Sequence, residues 1–326
     1  MTTEETTEET TEATTVVVVT WRGVEHITAC LDALAAQRRP HRTLVVDNAS
    51  DDGTAALIAA HPAKPEVLRL PRNLGYAGAM SAALPRIATP LMAWLNDDAA
   101  PDPAWLACLE DGLGQAAAAG SRLEYADGTV QSLGVSLTAD GYGADATELP
   151  AFGFCGGAAL LRTDVLRAIG GVPSGFFCYY EDTDTAWRLR LAGHEISTVE
   201  RARVTHRHGA SSGPGSRAFH RWNERNRLLT LFRCAPAAIA LRETARFAAI
   251  TALLPVRRDV PNAPNFRLSL RCRVLAEVVL RLPSALRARR AISRHSTVDR
   301  GHVWRSWSGR QAAEVAAPSG GTAPHR

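Results

Sequence analysis

Residues 16–19 are four consecutive valines, followed by Thr20, and few folds can accommodate such a run. An unbroken β-branched segment is typical of a parallel strand that is buried on both faces of its sheet. Three further apolar segments follow at residues 43–47, 66–70 and 91–95, separated by segments with helical spacing. Strands that alternate with helices predict parallel βα units. We therefore expect an α/β fold with a doubly wound, mostly parallel sheet flanked by helices.

Polar side chains gather where the four apolar segments end. They are Thr20, Asp47, Asn48, Asn73 and the run Asn96-Asp97-Asp98. In a doubly wound sheet, ligands bind in the crevice outside the carboxyl ends of the strands. We therefore expect these side chains to line one site.

The chain divides into regions of different character. After about residue 120 the pattern becomes richer in turns, and from residue 217 it reads as helices rich in Arg, Ala and Leu. The acidic N-terminal segment is of low complexity and cannot bury apolar surface. We predict four regions: a disordered acidic tail at 1–14, the α/β domain at 15–215, a basic C-terminal helical region at 216–300 and a flexible tail at 301–326.

Composition excludes several classes of protein. The six cysteines form no CxxC pair, which argues against a zinc ribbon or a disulfide scaffold and suits a reducing compartment. The N-terminus lacks the basic and apolar segments of a secretory signal. No window of about 18 uncharged apolar residues occurs, so we expect no membrane-spanning helix. These features predict a cytoplasmic protein.

Charge is distributed unevenly along the chain. Residues 1–200 carry 13 Lys/Arg against 27 Asp/Glu, whereas residues 201–326 carry 24 Arg against 6 Asp/Glu. An acidic first part suits a cation site and argues against a nucleic-acid partner. Segments 227–234 and 241–258 mix Leu, Ala and Arg, as do basic amphipathic helices that lie on anionic membranes. The alternative is a helical cap that packs on the α/β domain.

Two acidic segments can carry chemistry, and each also has a simpler explanation. Asp97 and Asp98 follow an apolar strand, where they would bind a divalent cation that bridges to a diphosphate, or form a solvated turn. Glu181 and Asp182 open a predicted helix. One of them would act as a general base, or both would simply interact favourably with the helix dipole.

Other candidates are weaker when taken singly. His206 ends a predicted strand and would supply a nitrogen ligand to a metal, a role for which His208 competes. Asp47 and Asn48 can hydrogen-bond a base or a ribose, or form an Asx turn. Gly75 lies in a glycine-containing turn that lacks the full dinucleotide-binding fingerprint.

Taken in order, these segments resemble glycosyltransferase family 2, of the GT-A fold, and in particular its bacterial rhamnosyltransferase-like members. The resemblance covers residues 16 to about 230. It is carried by VVVVTWRG (16–23), VVDNASDDGT (45–54), RNLGYAGAMSAAL (72–84), WLNDD (94–98), GGAALLRTDVLRAIGG (156–171), FFCYYEDTDTAWRLRLAG (176–193) and ARVTHRHGAS (202–211).

The resemblance implies an inverting glycosyltransferase whose GT-A catalytic domain is the 15–215 region. It implies that Asp182 is the catalytic base, with Glu181 beside it, and that a Mg²⁺ or Mn²⁺ ion is bound by Asp98 and His206. It implies that the nucleotide-sugar is contacted by Thr20, Asp47, Asn48, Asn73, Gly75 and Asp97. It also implies that the acceptor side is lined by Gly156, Gly157, Trp187 and Arg188.

Donor, acceptor and rival functions stay open at this level. The family suggests dTDP-rhamnose or a UDP-sugar as donor and a glycan or lipid-linked acceptor in cell-envelope polysaccharide synthesis, at the inner face of the plasma membrane. Trp21 and Ser81 depart from the tyrosine and asparagine that are commoner in the family, so the donor is not fixed. One rival is a catalytically silent nucleotide-sugar-binding or scaffold protein on the same fold. Another is a nucleotidyltransferase, which the short loop WRGVEH disfavours.

Overall fold

The computed structural model describes residues 12–207, 215–258 and 260–309. The predicted 1–14 tail therefore lies largely outside these ranges, and so does His208. The strands within them are β1 (Thr14–Thr20), β2 (Arg42–Asp47), β3 (Glu66–Arg69), β4 (Leu91–Asn96), β5 (Ala99–Pro101), β6 (Ala118–Glu124), β7 (Val130–Ser132), β8 (Val135–Leu137), β9 (Gly143–Asp145), β10 (Ala158–Arg162) and β11 (Ile196–His206).

The helices surround a central sheet. They are α1 (Ile27–Ala35), α2 (Thr54–Ala60), α3 (Gly75–Ala83), α4 (Trp105–Leu113), α5 (Thr163–Ala168), α6 (Glu181–Leu191), α7 (Arg217–Cys234), α8 (Ala237–Leu253), α9 (Leu268–His295) and α10 (Arg300–Trp307). Within the described ranges, no helix combines the length and apolar character needed to cross a membrane.

The strand order of the main sheet is β3-β2-β1-β4-β10-β6-β11-β5, with β7 beside β6. The first four strands are parallel, as the alternation of strands and helices predicts, so the α/β prediction is confirmed. β10 runs antiparallel between β4 and β6, and β11 is parallel to β6. In this register Thr20 pairs with Asp47 and Val19 pairs with Asn96, so three strands end at the same edge.

Alternate valines of β1 face opposite layers of the core. Val16 and Val18 pack in one apolar cluster with α1 and α4, whereas Val17 and Val19 belong to the other cluster. Because side chains of a strand alternate between faces, a run that is apolar at every position requires cover on both sides. The sequence pattern and the three-layer architecture therefore agree.

One helix boundary differs from what the sequence predicts. The residues at 103–118 predict a single helix, but α4 ends at Leu113 and β6 begins at Ala118. Gly114, with φ of +50°, redirects the chain, and the alanines that follow form a strand in spite of their helical propensity. Small side chains suit this central strand, since Phe154 approaches to 3.2 Å of the position that a Cβ on Gly120 would take.

The C-terminal helices share a core with the α/β domain. Leu228 of α7 and Val274 of α9 belong to the same buried cluster as Val17 and Trp94 of the sheet. The packing alternative for the 216–300 region is thus realised for its buried faces. The sequence pattern changes at residue 215, but the buried core continues across this position.

The prediction of a flexible tail from residue 301 was wrong as far as residue 307. Residues Arg300–Trp307 form α10, whose first turn is capped by the Asp299 side chain. Trp304 stacks on Trp187, with ring centroids 6.0 Å apart, and the Trp307 ring lies 5.9 Å from that of Phe152. These aromatic contacts anchor a segment whose own composition does not predict order.

Candidate active site

A cavity of about 540 Å³ opens at the carboxyl edge of the parallel strands. The loop after β4 contributes Asp97 and Asp98, and the start of α6 contributes Glu181 and Asp182. Carboxylates that lie 84 residues apart in the chain, at 98 and 182, therefore line one cleft. Among the predicted residues, those that line the cavity are Asn48, Asn73, Gly75, Asp97, Asp98, Gly156, Gly157, Glu181, Asp182 and His206.

Asp98 and His206 face each other at the junction of β4 and β11. The Asp98 Oδ1 atom lies 3.2 Å from His206 Nε2, and the two side chains are 6% and 7% exposed. His206 Nδ1 lies 3.0 Å from Gln131 Oε1, a contact in which Nδ1 donates because the amide oxygen accepts only. In the neutral imidazole Nε2 then carries the lone pair that can bind a metal.

The donor atoms at this point fit a hard divalent ion. Carboxylate oxygen and imidazole nitrogen are ligands that Mg²⁺ and Mn²⁺ accept. Among the described residues, no group of three or more His, Cys, Asp or Glu side chains has the spacing of a complete metal site. Such a partial set matches Mg²⁺ binding in phosphate-transfer sites, where one or two carboxylates act together with substrate phosphates and water.

Asp97 is the more deeply buried of the two adjacent acids. Burial raises the pKa of Asp97 to about 7; the Thr20 hydroxyl opposes this shift and the Asp98 charge adds to it. The backbone approaches closely here, because a Cβ on Gly23 would fall 2.3 Å from Thr20 Oγ1 and 2.5 Å from Asp97 Oδ2. An ionised pair of acids in this position is costly without a compensating cation.

Asn48, Asn73 and Gly75 form a connected wall of the cavity. We predict that the donor binds on this side. Asn48 Nδ2 donates to Asn73 Oδ1 over 2.9 Å, and Asn73 Oδ1 also accepts from the Gly75 backbone N–H over 2.7 Å. Gly75 has a φ of +71°, and a Cβ there would fall 2.2 Å from the Phe177 carbonyl oxygen. This position therefore requires glycine for both reasons.

Thr20 and Asp47 lie behind this wall and do not line the cavity. Asp47 is 1% exposed, accepts a hydrogen bond from the Ser50 backbone N–H over 2.8 Å and pairs with Arg69 at 3.2 Å. Thr20 is fully buried beside Asp97. Their positions at the strand ends agree with the sequence prediction, but their side chains support the loop that follows each strand.

Asp182 opens α6 and is partly exposed to the cleft. Its Oδ2 accepts a hydrogen bond from the Gly156 backbone N–H over 3.0 Å, and its Oδ1 accepts one from the Thr183 N–H over 2.5 Å. The Tyr76 hydroxyl in turn donates to the Gly156 carbonyl over 2.7 Å. Burial raises the pKa of Asp182, against the hydrogen bonds, and the charge of Asp145 raises it further. This environment suits a carboxylate that accepts a proton.

Glu181 is buried beside Asp182, and its Oε2 atom has no hydrogen-bond partner among the residues that the structure describes. Burial, followed by the charge of Asp182, raises the pKa of Glu181 to about 8. At neutral pH this pKa favours the protonated form of Glu181, which disfavours it as a base.

The raised pKa of Glu181 predicts a pH-dependent stability. The unfolded chain releases this proton near the ordinary value of 4.5, whereas the folded chain keeps it to about pH 8, so the folded state loses stability as the pH rises through this window. Glu181→Gln removes the titrating carboxyl group and therefore removes this loss of stability. From pH 5 to pH 8 we expect its free energy of unfolding to gain on the order of 3 kcal/mol relative to wild type.

Thermal or urea unfolding of both proteins at the two pH values measures this difference. Glu148→Gln, which changes an exposed glutamate, serves as the control and should track wild type. Equal pH dependence of wild type and Glu181→Gln would show that the buried carboxyl group titrates normally.

Trp187 and Arg188 do not face the cleft, and their acceptor-side prediction is corrected on this point. Trp187 is fully buried against Phe152 and Trp304. Arg188 pairs with Asp184 at 2.7 Å and faces a second cavity of about 360 Å³. Both lie beyond the first turn of α6, where the helix has entered the core, whereas Glu181 and Asp182 occupy the end that lines the cleft.

The sequence interpretation missed residues that α7 contributes to the cleft. Phe219, Trp222 and Asn223 line it, and the Trp222 ring lies 4.7 Å from that of Phe177. The segment RWNERN interrupts an otherwise aliphatic and arginine-rich helix, and this was the available signal. Asp145 on β9 also reaches the cavity, although nothing in its local sequence distinguishes it.

A protein family model and a known enzyme both match this chain. A family model described as glycosyl transferase family 2 matches residues 15–170. The N-acetylglucosaminyl-diphospho-decaprenol L-rhamnosyltransferase of Mycobacterium tuberculosis is 30% identical over 240 residues, which cover 61% of this chain and 77% of that protein.

Solved structures of glycosyltransferases share the fold. The mannosyltransferase PcManGT of Pyrobaculum calidifontis, in complex with GDP-Man and Mn²⁺, aligns over 94% of this chain and 81% of its own, with 20% identity and a TM-score of 0.53. S. aureus TarS 1–349 with UDP-GlcNAc aligns over 86% of this chain and 87% of its own, with 19% identity and a TM-score of 0.53.

Proposed function

Because the chain belongs to glycosyltransferase family 2, we propose that it is an inverting enzyme that transfers a sugar from a nucleoside-diphosphate sugar to a hydroxyl group of a glycan or lipid-linked acceptor. The observation that carries this proposal is the shared cleft, which holds Asp97, Asp98 and His206 at one point and Asp182 at another. A cation-binding group and a separate carboxylate are the two elements that such a transfer requires.

Asp182 acts as the general base in this proposal. The acceptor hydroxyl oxygen attacks the anomeric carbon from the face opposite the diphosphate, the bond from that carbon to the diphosphate oxygen breaks, and the acceptor proton passes to Asp182. Gly156 and Thr183 hold both carboxylate oxygens through their backbone N–H groups, so the carboxylate is oriented before the acceptor arrives.

Asp98 and His206 would hold a Mg²⁺ or Mn²⁺ ion, with Asp97 beside them. When bound, such a cation offsets the negative charge that develops on the departing diphosphate. Asn48, Asn73 and Gly75 form the neighbouring wall, with amide and backbone groups suited to hydrogen-bonding the nucleotide. These groups line one cavity, which supports a donor site with its diphosphate beside the acids.

The proposed donor is dTDP-rhamnose or a UDP-sugar, and the proposed acceptor is a lipid-linked glycan of the cell envelope. Support comes from the mycobacterial relative, whose name gives an N-acetylglucosaminyl-diphospho-decaprenol acceptor and an L-rhamnosyl group.

A panel of nucleotide-sugars tests this function. Purified chain is incubated with each donor, Mn²⁺ or Mg²⁺ and an N-acetylglucosaminyl-diphospho-lipid, and the product is identified by mass and its anomeric configuration by NMR. Transfer with inverted configuration from one donor supports the proposal. Binding of donors without hydrolysis or transfer would indicate a silent binding protein.

We propose that the exposed face of α9 contacts an anionic membrane, which would bring a lipid-linked acceptor to the cleft at the inner face of the plasma membrane. Val279 and Leu280 are 67% and 76% exposed, and Leu268 and Leu286 are 44% and 41% exposed. Exposed arginines continue the helix at residues 287, 290 and 294, and its one acid, Glu277, is buried. Aliphatic residues beside arginines, with no exposed acid, suit an anionic bilayer surface.

Flotation with vesicles tests this contact. We expect wild type to float with phosphatidylglycerol-containing vesicles, less with purely zwitterionic ones, and less at high salt, because the arginines are screened. The double variant Val279→Asp/Leu280→Asp should lower binding by at least about tenfold, because it places two acids against the anionic surface. Val67→Asp, on β3 and 44% exposed, is the control. Equal flotation of all three proteins would refute a contact through α9.

A further inference from the structure

The loop at residues 176–180, here termed the catalytic loop, leads directly into Glu181 and Asp182. Three of its residues have a positive φ although none is glycine: Phe177 (68°), Tyr179 (70°) and Tyr180 (72°). This conformation is uncommon for residues with a Cβ and persists only where surrounding structure holds it. Groups outside the catalytic loop must therefore supply that support.

The support comes from α7, which follows the catalytic loop by some forty residues. Asn226 is fully buried, and its Nδ2 lies 3.0, 2.8 and 2.8 Å from the carbonyl oxygens of Phe176, Cys178 and Tyr179. Arg225 Nη2 donates to the Phe176 carbonyl as well, over 2.5 Å. Two consecutive side chains thus contact three carbonyl groups of the catalytic loop, in addition to the hydrogen bond that the Phe176 carbonyl accepts from the Cys178 backbone N–H.

A relay of hydrogen bonds orients these two side chains. Arg225 Nε donates to Asn226 Oδ1 over 2.9 Å, so the amide nitrogen of Asn226 must face the catalytic loop. Arg225 Nη1 pairs with Glu277 of α9 at 3.1 Å. The Asn226 amide and the Arg225 guanidinium are therefore each held in one orientation.

The catalytic loop also contacts the donor side of the cleft. The Phe177 carbonyl accepts a hydrogen bond from the Ala77 backbone N–H over 3.0 Å, directly above Gly75. A displacement of the loop would therefore change the position of Asp182 relative to the wall formed by Asn73 and Gly75.

We propose that Asn226 and Arg225 are positioning residues for the transfer reaction: they hold the catalytic loop in its positive-φ conformation and thereby fix Asp182 in the cleft. The inference rests on the proposed role of Asp182 as base. It makes the C-terminal helical region a part of the catalytic unit, since the base is held from α7 and, through Glu277, from α9.

Kinetics of Asn226→Ala tests the proposal. Loss of the amide that contacts three carbonyl groups lets the catalytic loop relax, and a misplaced base lowers kcat by about 100-fold. The donor KM should change by less than about threefold, because Asn48 and Asn73 remain in place. Arg225→Lys keeps a charge near Glu277 but cannot reach all its partners, so we expect a smaller loss of kcat, about tenfold.

The pH profile separates positioning from a general loss of folded protein. Asp182 is surrounded by Glu181, by Asp145 from β9, by Tyr76 from α3 and by Cys155 and Cys178. A relaxed loop exposes the carboxyl group to water, so the acidic limb of the kcat profile should move to lower pH in Asn226→Ala. The folded fraction of each protein is measured at each pH, and the rate per folded molecule then gives the position of this limb.

Hydrogen exchange supplies a readout that does not depend on activity. Amides of residues 174–184 should exchange faster in Asn226→Ala, whereas Arg289→Ala, which removes hydrogen bonds to the Phe232 and Ala235 carbonyls, should leave these amides and kcat unchanged. Unchanged exchange and unchanged kcat in Asn226→Ala would overturn the proposal. If Asn226→Ala does not fold, Arg225→Lys carries the same comparison. Inactive wild type with faster exchange in the variant would refute the proposed function and not the support of the loop.

Discussion

Asp182→Asn should lower kcat by about 10³-fold while donor affinity stays within about threefold of wild type. The amide has nearly the shape of the carboxylate but cannot take the proton of the acceptor hydroxyl. Asp182 is hydrogen-bonded to Gly156 and Thr183, whereas Asn48 is hydrogen-bonded to Asn73 in the donor wall, so donor binding should survive. Steady-state rates and calorimetric titration with the nucleoside diphosphate measure the two effects separately.

Two comparisons guard this result against a structural explanation. The amide nitrogen cannot accept one of the two backbone hydrogen bonds that Asp182 now accepts from Gly156 and Thr183, so the melting temperature is measured alongside. Asp164→Asn changes another acid in the first turn of a helix, α5, outside the cleft, and should behave as wild type. Near-normal turnover of Asp182→Asn would remove Asp182 from the role of base.

Asp98→Asn should weaken the binding of Mn²⁺ in the presence of a nucleoside diphosphate by about 100-fold and lower turnover by a similar factor. The variant removes the charged oxygen that faces His206 Nε2 at 3.2 Å, while the imidazole stays oriented by Gln131. Electron paramagnetic resonance of free Mn²⁺ gives the affinity without reference to catalysis.

Asp102→Asn, an exposed acid four residues further along the chain, is the matched control and should bind Mn²⁺ as wild type does. If Asp98→Asn kept full Mn²⁺ affinity, the cation would have to be held elsewhere, and the interpretation of Asp97 and Asp98 as a solvated acidic turn would be restored.

The residues that proved easiest to place were those next to strand ends. Asp98 and Asn48 each follow an apolar strand, and parallel strands bring their carboxyl ends to one edge whatever the details of packing. The same reasoning predicts that Thr20 and Asp47 lie at that edge. It does not predict the direction of their side chains, which depends on the alternation along each strand and on the loop that follows it. Both are buried behind the cavity wall.

Helix α6 shows where the pattern was insufficient. Its motif assigned Trp187 and Arg188 to the site together with Asp182, yet a helix that enters a core presents only its first turn to the cleft. Trp187 is enclosed by the aromatic residues of α10, a helix absent from the prediction. Local sequence does not encode which later segment will cover a helix.

The sequence by itself determined the alternation of buried strands and helices, the edge at which the polar residues gather, and the two acidic segments, because periodicity and strand-end chemistry are local properties. Tertiary structure decided that α7 lines the cleft and that Asn226 and Arg225 hold the loop before Asp182. These contacts join segments some forty residues apart. Their formation depends on how α7 packs against α6 and α9, which no local pattern specifies.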